Sequence, residues 1–442
     1  MVYVGIDDTD SRNGMCTTYL ATLIVEELER RKIRLVDYPR LVRLNPNIPW
    51  KTRGNGALAL EFGHGNEKKS KIGDRFCIYY NKNKNKNENE NENKKNDKET
   101  ELEVIFEVVK KLVEKNAMLE DENTNPGLVV ASIKPDRSFY ERCVKDLVPL
   151  EDAIETLDGV KALYKGYKNS RGLIGSTAAI SYEPRMFTFE LVAYRKRESI
   201  GKKRFVEEKS VIEMDKKFPF TFDNYDYQNK HVCIAPNSPC PVLFGVRSTA
   251  GIEDIEDVLK VLKTEDIERW ITYKTNQASD EHLERKRMGE LRKNSSGIIE
   301  GFVTTRPKKI EGGHVIFEIS DGSSTGTGVE CAAYEPTKDF RKTVLKLMIG
   351  DKVELYGGLS KYTTFNIEKM RIKELAKVYL NPLCCGKRMK SKGKGQGFRC
   401  EKCGRKTNEK EEIKRDLAEG FYEVPPSARR HLSMPLKIML SS

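Results

Sequence analysis

An unbroken short run at positions 2–6, VYVGI, predicts a buried strand, and from about 16 to 30 Leu20, Leu23, Ile24 and Leu28 recur at the spacing of one helical face. Segments 34–44 and 57–62 read as two more strands, 102–114 as a helix with Val104, Val108 and Leu112 on one side, and 128–133 as a strand. That order, βαββαβ, predicts an α+β domain of ferredoxin-like type. One tract breaks the pattern: NKNKNKNENENENKKNDK, at 81–98, holds no apolar residue and cannot build a core. It reads as a surface insertion within this first domain.

Between 136 and 179 the signals are mostly helical. Strands at 187–194, 232–235, 242–246 and 270–273, with a helix at 252–262, then predict a second α+β unit, its boundary with the first near 170. A charged stretch at 280–293 reads as helical. Beyond it the pattern turns all-β: 297–305, 314–319, 326–332, a helix at 340–348, then 352–356 and 363–372. Three strands, a helix and two strands match an OB-fold barrel best. The expected division is 1–170, 171–290, 297–375, a cysteine-bearing unit at 380–410 and a tail at 411–442.

The 442 residues suffice for about three domains. No run approaches the roughly 18 apolar residues of a membrane span, which excludes a membrane role, and the acids of MVYVGIDDTD do not suit a signal or transit peptide. A cytosolic protein is expected. Lys plus Arg (79) exceed Asp plus Glu (67), and the resulting +12 fits a polyanionic partner. Of ten cysteines, Cys384, Cys385, Cys400 and Cys403 fall within twenty residues. In a cytosolic chain that grouping points to a metal rather than to disulfides.

Candidate chemistry begins at GIDDTDSRNGMCTTYL, which places Asp7, Asp8 and Asp10 just past a strand and before a helix. Three carboxylates this close repel unless a cation compensates, and Mg²⁺ is typically held by one or two of them together with phosphate oxygens. Gly14 permits close backbone approach, and the amides near Cys16, Thr17 and Thr18 suit a phosphate. The two threonines are also candidate nucleophiles or phosphate acceptors. A solvated turn with Thr17 or Thr18 as helix cap explains the same residues. A second loop, NPNIPWKTRGNGA, offers Lys51 and Arg53 beside Gly54 and Gly56, again chemistry suited to phosphate, without a Walker consensus. The scattered Cys16, Cys77, Cys143, Cys233, Cys240 and Cys331 read as small buried residues. His64, His231, His282, His314 and His431 form no spacing motif.

The opening GIDDTDS and GMCTTYL, the loop PWKTRGNGA, the later RGLIGSTAAI and FTFELVAYR, the segment PNSPCPVLFGVR and the ending GQGFRCEKCG together resemble the archaeal tRNA 2-agmatinylcytidine synthetase family over about residues 1–405. The resemblance implies an ATP-dependent ligase that replaces the C2 oxygen of the wobble cytidine in a CAU-anticodon isoleucine tRNA with agmatine, so that the tRNA reads AUA. It implies that phosphorylation activates the cytidine oxygen, that agmatine's amine displaces phosphate, and that ATP ends as AMP. Its architecture is a kinase-like domain, a ferredoxin-like domain, an OB-fold and a zinc ribbon, so the ferredoxin-like label moves from the first unit to the second. Carried onto this chain, Asp7, Asp8 and Asp10 hold Mg²⁺ on the phosphates and Thr18 is phosphorylated, with Thr17 its close rival. Lys51, Arg53 and Arg247 are candidates for the phosphate clamp. No protein partner is implied.

In the ribbon, Cys400 and Cys403 form C-x-x-C, and Cys385-Gly386 opens the opposing hairpin. Where the family has its first C-x-x-C, Pro382 stands three residues before Cys385, and Cys384 sits beside it instead. Four thiolates on Zn²⁺ are expected, since so small a unit lacks an adequate core without metal. Residues 380–410 carry ten basic and two acidic side chains, suited to gripping tRNA phosphates. A noncatalytic tRNA-binding protein, or a transferase using another amine, is the competing class; the acidic turn argues against a pure RNA binder.

Overall fold

The protein, seen in a computed structural model that describes residues 1–441 except 52–53, 81–91, 323–327 and 360–362, is organised around one ten-stranded sheet. The first half runs β1 (Val2–Asp7), α1 (Thr17–Arg30), β2 (Arg34–Leu35), β3 (Arg40–Arg43), β4 (Gly56–Gly63), a hairpin of β5 (Glu67–Lys71) and β6 (Cys77–Tyr80), α2 (Glu92–Asn116) and β7 (Gly127–Ala131). Then come α3 (Arg137–Lys145), α4 (Leu150–Gly159), β8 (Leu163–Gly166) and α5 (Gly172–Ser181). The second half runs β9 (Thr188–Arg195), α6 (Glu208–Lys217), β10 (Thr221–Phe222), a ribbon of β11 (Tyr225–Asp226) and β12 (His231–Val232), β13 (Val242–Ser248), α7 (Ile252–Ile255) and β14 (Ile267–Thr275).

Strand order is β10-β13-β9-β14-β3-β4-β1-β7-β8, with β2 also on β4. Each half therefore follows the same βαββαβ path: its third main strand lies between the second and the first, and its fourth borders the first. The two halves share one sheet. They join where β14 pairs parallel with β3, Lys274 opposite Arg40 and Thr275 opposite Leu41. Asn276 extends the seam, its Oδ1 accepting from the Arg43 amide at 2.7 Å and its Nδ2 donating to the Arg43 carbonyl at 2.8 Å. Side chains of α1, α2 and α6 share one continuous core on one face. On the other face α3, α4 and α5 cover the first half.

Helix α5 approaches the sheet backbone to backbone. A Cβ added at Gly127 would lie 2.1 Å from the Gly172 carbonyl carbon, and one at Gly5 would lie 2.4 Å from the Ser176 oxygen. Distances below 3 Å leave no room for a side chain, so RGLIGSTAAI is a close-packing sequence.

Several sequence expectations change here. The strand expected at 34–44 is cut in two around Pro39, which has no amide to donate to the ladder. Strand β8 lies in a region read as helical, and the hairpin β5–β6 carried no clear alternation. The helix at 252–262 is α7 followed by a 3₁₀ turn, Glu256–Lys260. The strand at 232–235 shrinks to β12. Helix α2 starts at Glu92, ahead of the expected 102, so the end of the low-complexity tract enters a helix while 81–91 lie outside the described residues. The stretch at 280–293 is not helical beyond one 3₁₀ turn, Met288–Glu290. Arg287 and Glu290 pair locally in that turn, but further polar side chains reach other elements: Asp280 pairs with Lys369, Glu284 with Lys145 and Arg285 with Glu354, and His282 lies 3.0 Å from Glu368.

Next comes a five-stranded barrel: β15 (Ser296–Val303), a short β16 (Lys308–Lys309), β17 (Val315–Ser320), β18 (Gly328–Ala333), α8 (Asp339–Val344), β19 (Lys352–Leu359) and β20 (Phe365–Glu374). The order β15-β19-β20-β18-β17 closes through β17 on β15, and only β18–β20 is parallel. Its interior is a separate core that includes Phe317, Phe365 and, from α8, Phe340 and Val344. After a small cysteine ribbon the chain returns as a strand, Gly420–Glu423, on β20. The residues that follow run back to the large sheet as a strap. Among the described residues no helix is long and apolar enough to cross a membrane.

Candidate functional site

Strand β1 ends in the acidic turn. Asp8 has φ 54°, a left-handed conformation that Asp tolerates better than most residues, and its Oδ2 accepts from the Asn125 amide at 3.0 Å. Thr124 Oγ1 donates to the Asp10 carbonyl at 2.7 Å. Neither threonine caps α1: the N-cap is Cys16, and it makes no side-chain cap bond. Instead Thr9 Oγ1 donates to Thr17 Oγ1 at 3.1 Å, and Thr18 Oγ1 lies 3.0 Å from Cys16 Sγ. Both hydroxyl-bearing residues are buried, and Tyr273 OH donates to the Thr18 carbonyl at 2.8 Å, tying the second half of the sheet to this turn.

The carboxylate of Asp7 rests on α5, where a Cβ at Gly175 would lie only 1.8 Å from Asp7 Oδ2. Burial, then the neighbouring charges of Asp8 and Asp10, push the Asp7 carboxyl well above the usual carboxylate range. Three carboxylates on one turn repel one another, the electrostatic condition that a bound cation would relieve.

These residues line a cavity of about 420 Å³ that both halves of the sheet build. Asp7, Asp8, Asp10, Cys16, Thr17 and Thr18 form one wall, and Lys51, Gly54, Asn55 and Gly56 another. Arg171 and Gly175 come from the start of α5, and Glu190 and Arg247 come from β9 and β13. The glycines of the KTRGNGA loop have a definite purpose. A Cβ at Gly56 would lie 3.0 Å from Arg43 Nη1, and one at Gly54 would lie 3.0 Å from His431 Nε2.

Cationic groups here are incompletely matched. Arg43 Nη2 and Arg247 Nε stand 3.7 and 3.6 Å from the Glu190 carboxylate, and the buried Nε of each arginine has no hydrogen-bond partner. The second acceptor for Arg247 is Asp223, at 3.7 Å, which Arg429 of the strap holds at 2.7 Å. Lys51 donates to the Pro46 carbonyl. Burial, then the Arg430 charge, lower the Lys51 ammonium to about 8. Burial, then Arg43, Arg247 and Lys51, hold His431 well below the usual imidazole range, so its ring is neutral at pH 7. An anion would satisfy these donors.

Of the residues singled out from sequence, Asp7, Asp8, Asp10, Thr17, Thr18, Lys51 and Arg247 converge on this cavity. Gly14 does not line it, and a Cβ there would meet only ordinary contacts, Met118 and Pro239 at 3.9 Å. Arg53 lies outside the described residues. Arg171, Gly175 and Glu190 lie in the segments RGLIGSTAAI and FTFELVAYR but were assigned no role, and Arg43 and His431 carried no local signal, because their neighbours in the cavity are distant in sequence. Cys16, Cys143, Cys233 and Cys240, read as scattered buried residues, also line it.

The ribbon forms a second centre. The sulfurs of Cys384, Cys385, Cys400 and Cys403 all lie within 4.8 Å of one another. Adjacent cysteines converge because Cys385 adopts φ 49° and Gly386 φ 78°, which fold the knuckle back on itself. Four thiolates at that spacing suit tetrahedral Zn²⁺. Phe398 packs with Met389 and Cys400 in the ribbon's small core and does not face solvent.

Models of known families match three segments: the TiaS TCKD domain at 3–169, the TiaS FLD domain at 170–282 and the TiaS C-terminal zinc ribbon domain at 381–417. The curated 2-agmatinylcytidine synthetase TiaS of Methanocaldococcus jannaschii, named for the isoleucine-2 tRNA, is 43% identical over 459 residues, covering 99% of each chain. A solved complex of TiaS with that tRNA and ATP is 42% identical with TM-score 0.80, covering 98% of this chain and 96% of that one. A complex of TiaS with the same tRNA, AMPCPP and agmatine is 38% identical with TM-score 0.78, at the same coverage. With that identity sustained along its whole length, the chain belongs to the tRNA 2-agmatinylcytidine synthetase TiaS family.

Proposed function

We propose that this protein is an ATP-dependent ligase that joins agmatine to C2 of the wobble cytidine in isoleucine tRNA with a CAU anticodon. The observation that carries the reading is the single cavity, in which three carboxylates, two buried threonines and under-paired cations meet, within a chain matching complexes with isoleucine-2 tRNA, ATP and agmatine. In this reading Asp7, Asp8 and Asp10 hold Mg²⁺, which supplies charge neutralisation on the ATP phosphates. Lys51 and Arg247 bind phosphate oxygens and stabilise the charge that develops on transfer, with Arg43 beside them.

The cytidine C2 oxygen is a poor leaving group until phosphorylated. Agmatine's primary amine then forms the C2–N bond, gives up a proton, and phosphate departs carrying the former C2 oxygen. Thr18 is read as the phosphorylated threonine, buried at the start of α1 beside the carboxylates, and Thr17 is its rival at the next position. We read the barrel as an OB-fold and the Cys₄ unit as a zinc ribbon. Together they grip tRNA by charge and stacking, with exposed Phe302 a platform under the Lys352 ammonium.

Incubation with ATP, agmatine and purified tRNA tests the reading: mass spectrometry should find the agmatine increment on one cytidine, and only with ATP. Thr18→Val should remove that product while tRNA affinity stays within about twofold, because shape is kept and only a hydroxyl is lost. An increment from a different amine, or none with agmatine, overturns the reading. Loss with Thr17→Val but not Thr18→Val moves the role by one residue.

A further inference from the structure

The strap has no sequence motif, yet it delivers one side chain into the cavity. Val424 packs in the barrel core, and Leu432, 1% exposed, packs in the core beneath α3–α5. Between these two plugs the backbone is bonded to the segment that follows β14: the Ala278 amide donates to the His431 carbonyl at 2.8 Å and the Asp280 amide to the Leu432 carbonyl at 2.9 Å. The flanking arginines fix it from either side. Arg429 Nη1 holds Asp223 Oδ1 at 2.7 Å, and Arg430 Nη1 donates to Asn47 Oδ1 at 2.7 Å and pairs with Glu368 Oε1 of the barrel at 3.1 Å.

A segment anchored this way has no freedom to place His431 elsewhere. Gly54 completes the arrangement, since a Cβ there would crowd the imidazole and the Arg43 guanidinium together, at 3.0 and 3.1 Å, and both would have to give by a few tenths of an ångström. His431 Nδ1 is buried without a hydrogen-bond partner, as are Arg43 Nε and Arg247 Nε. Two of these nitrogens belong to arginines whose shared carboxylate, Glu190, stays 3.6–3.7 Å away. Buried nitrogens that lack a hydrogen-bond partner around a cavity suit an anion, with Nδ1–H the His431 tautomer that donates to it.

We propose that the returning strap is a wall of the reaction cavity and that His431 donates a hydrogen bond to a phosphate oxyanion bound there beside Arg43 and Arg247. The inference rests on the functional reading above and deepens it. Phosphate of this kind comes either from the ATP chain or from the tRNA backbone, and the two sources are separable by experiment.

The protein and its His431→Phe and His431→Gln variants are compared for agmatine incorporation, for ATP KM at saturating tRNA and for tRNA Kd without ATP. Phenylalanine keeps a ring in the Gly54 niche and loses the donor; glutamine restores an N–H. Losing a hydrogen bond to a charged group lowers kcat/KM by roughly ten- to a hundredfold, so His431→Phe should fall by that factor with its melting temperature kept, and His431→Gln should recover most of it. A loss expressed in ATP KM assigns the oxyanion to the nucleotide, and one expressed in tRNA Kd assigns it to RNA. Activity of His431→Phe within twofold of wild type overturns the proposal. So does equal impairment of both variants with a matching fall in melting temperature, since that marks packing alone. If wild type transfers no agmatine, the functional reading fails by itself; the phosphate site then stands or falls on whether His431→Phe weakens ATP or tRNA binding.

Discussion

In the ribbon, four sulfurs drawn from twenty consecutive residues meet within 4.8 Å, whereas the cavity gathers Asp7, Arg43, Gly175, Glu190, Arg247 and His431 from segments spread over most of the chain. The ribbon's geometry is set by a few local dihedrals and a metal, so damage there should stay local. The cavity's geometry is set by a shared sheet, a close-packed helix and a returning strap, so a change far from the chemistry reaches it. Two centres of one enzyme thus differ in what can break them.

The largest effect is expected from Gly175→Ala, which places a methyl 1.8 Å from the Asp7 carboxylate and must move either Asp7 or α5. Agmatine incorporation should fall at least a hundredfold, about 3 kcal/mol in the barrier, while zinc content holds. Near-normal turnover in that variant would mean that the acidic turn tolerates displacement.

A second test probes the joint between barrel and sheet. Burial alone would raise the Glu368 carboxyl, but His282 and Arg430 outweigh it and lower the group from 4.5 to about 2. A depressed folded value stabilises the protein above pH 4.5, and the contribution, roughly 3 kcal/mol, disappears as pH falls from 4.5 towards 2. Urea midpoints of wild type and Glu368→Gln should therefore converge over that range; a gap that stays constant with pH refutes the joint's electrostatic role.

Cys400→Ser should release zinc and weaken tRNA binding roughly tenfold, the scale of one or two lost phosphate contacts. ATP hydrolysis should be unaffected, and metal analysis beside a filter-binding titration reads both halves of that expectation. Were ATP hydrolysis to fall as well, the ribbon would no longer count as an independent centre. The smallest effect is expected from replacing 81–91 with a short Gly-Ser linker: turnover within a few-fold of wild type, because the tract has no apolar residue to pack. Abolished tRNA binding would show that its lysines touch RNA.

What was legible in the sequence follows the same divide. Strong periodicity exposed β1, α1 and the barrel strands, and the acidic turn stood out because three carboxylates crowd one short segment. The cysteine spacing announced a metal centre, although only φ at Cys385 shows how neighbouring residues both reach it. Hidden were the properties that depend on pairing at a distance. No local pattern says that β3 will receive β14, and so the sheet runs unbroken across the boundary expected near 170. The stretch 280–293 looked helical because Arg287 and Glu290 do pair at i,i+3, while the partners of its other polar side chains, Lys145, Glu354, Glu368 and Lys369, lie far along the chain. Gly175 and His431 are single residues whose meaning is supplied by neighbours that the sequence does not place.

The returning strap also governs when the enzyme becomes active during its own synthesis. Strand β3 emerges from the ribosome early and must wait with an open edge until β14 follows it, a long-range closure that is slow and leaves hydrogen-bonding groups exposed meanwhile. The cavity waits longer still, since its His431 wall is translated after every other residue that lines it. Val424, which packs in the barrel core, arrives on the same stretch of chain, so barrel and cavity are completed together. Termination ahead of the strap would leave the barrel core without Val424 and the cavity without its His431 wall.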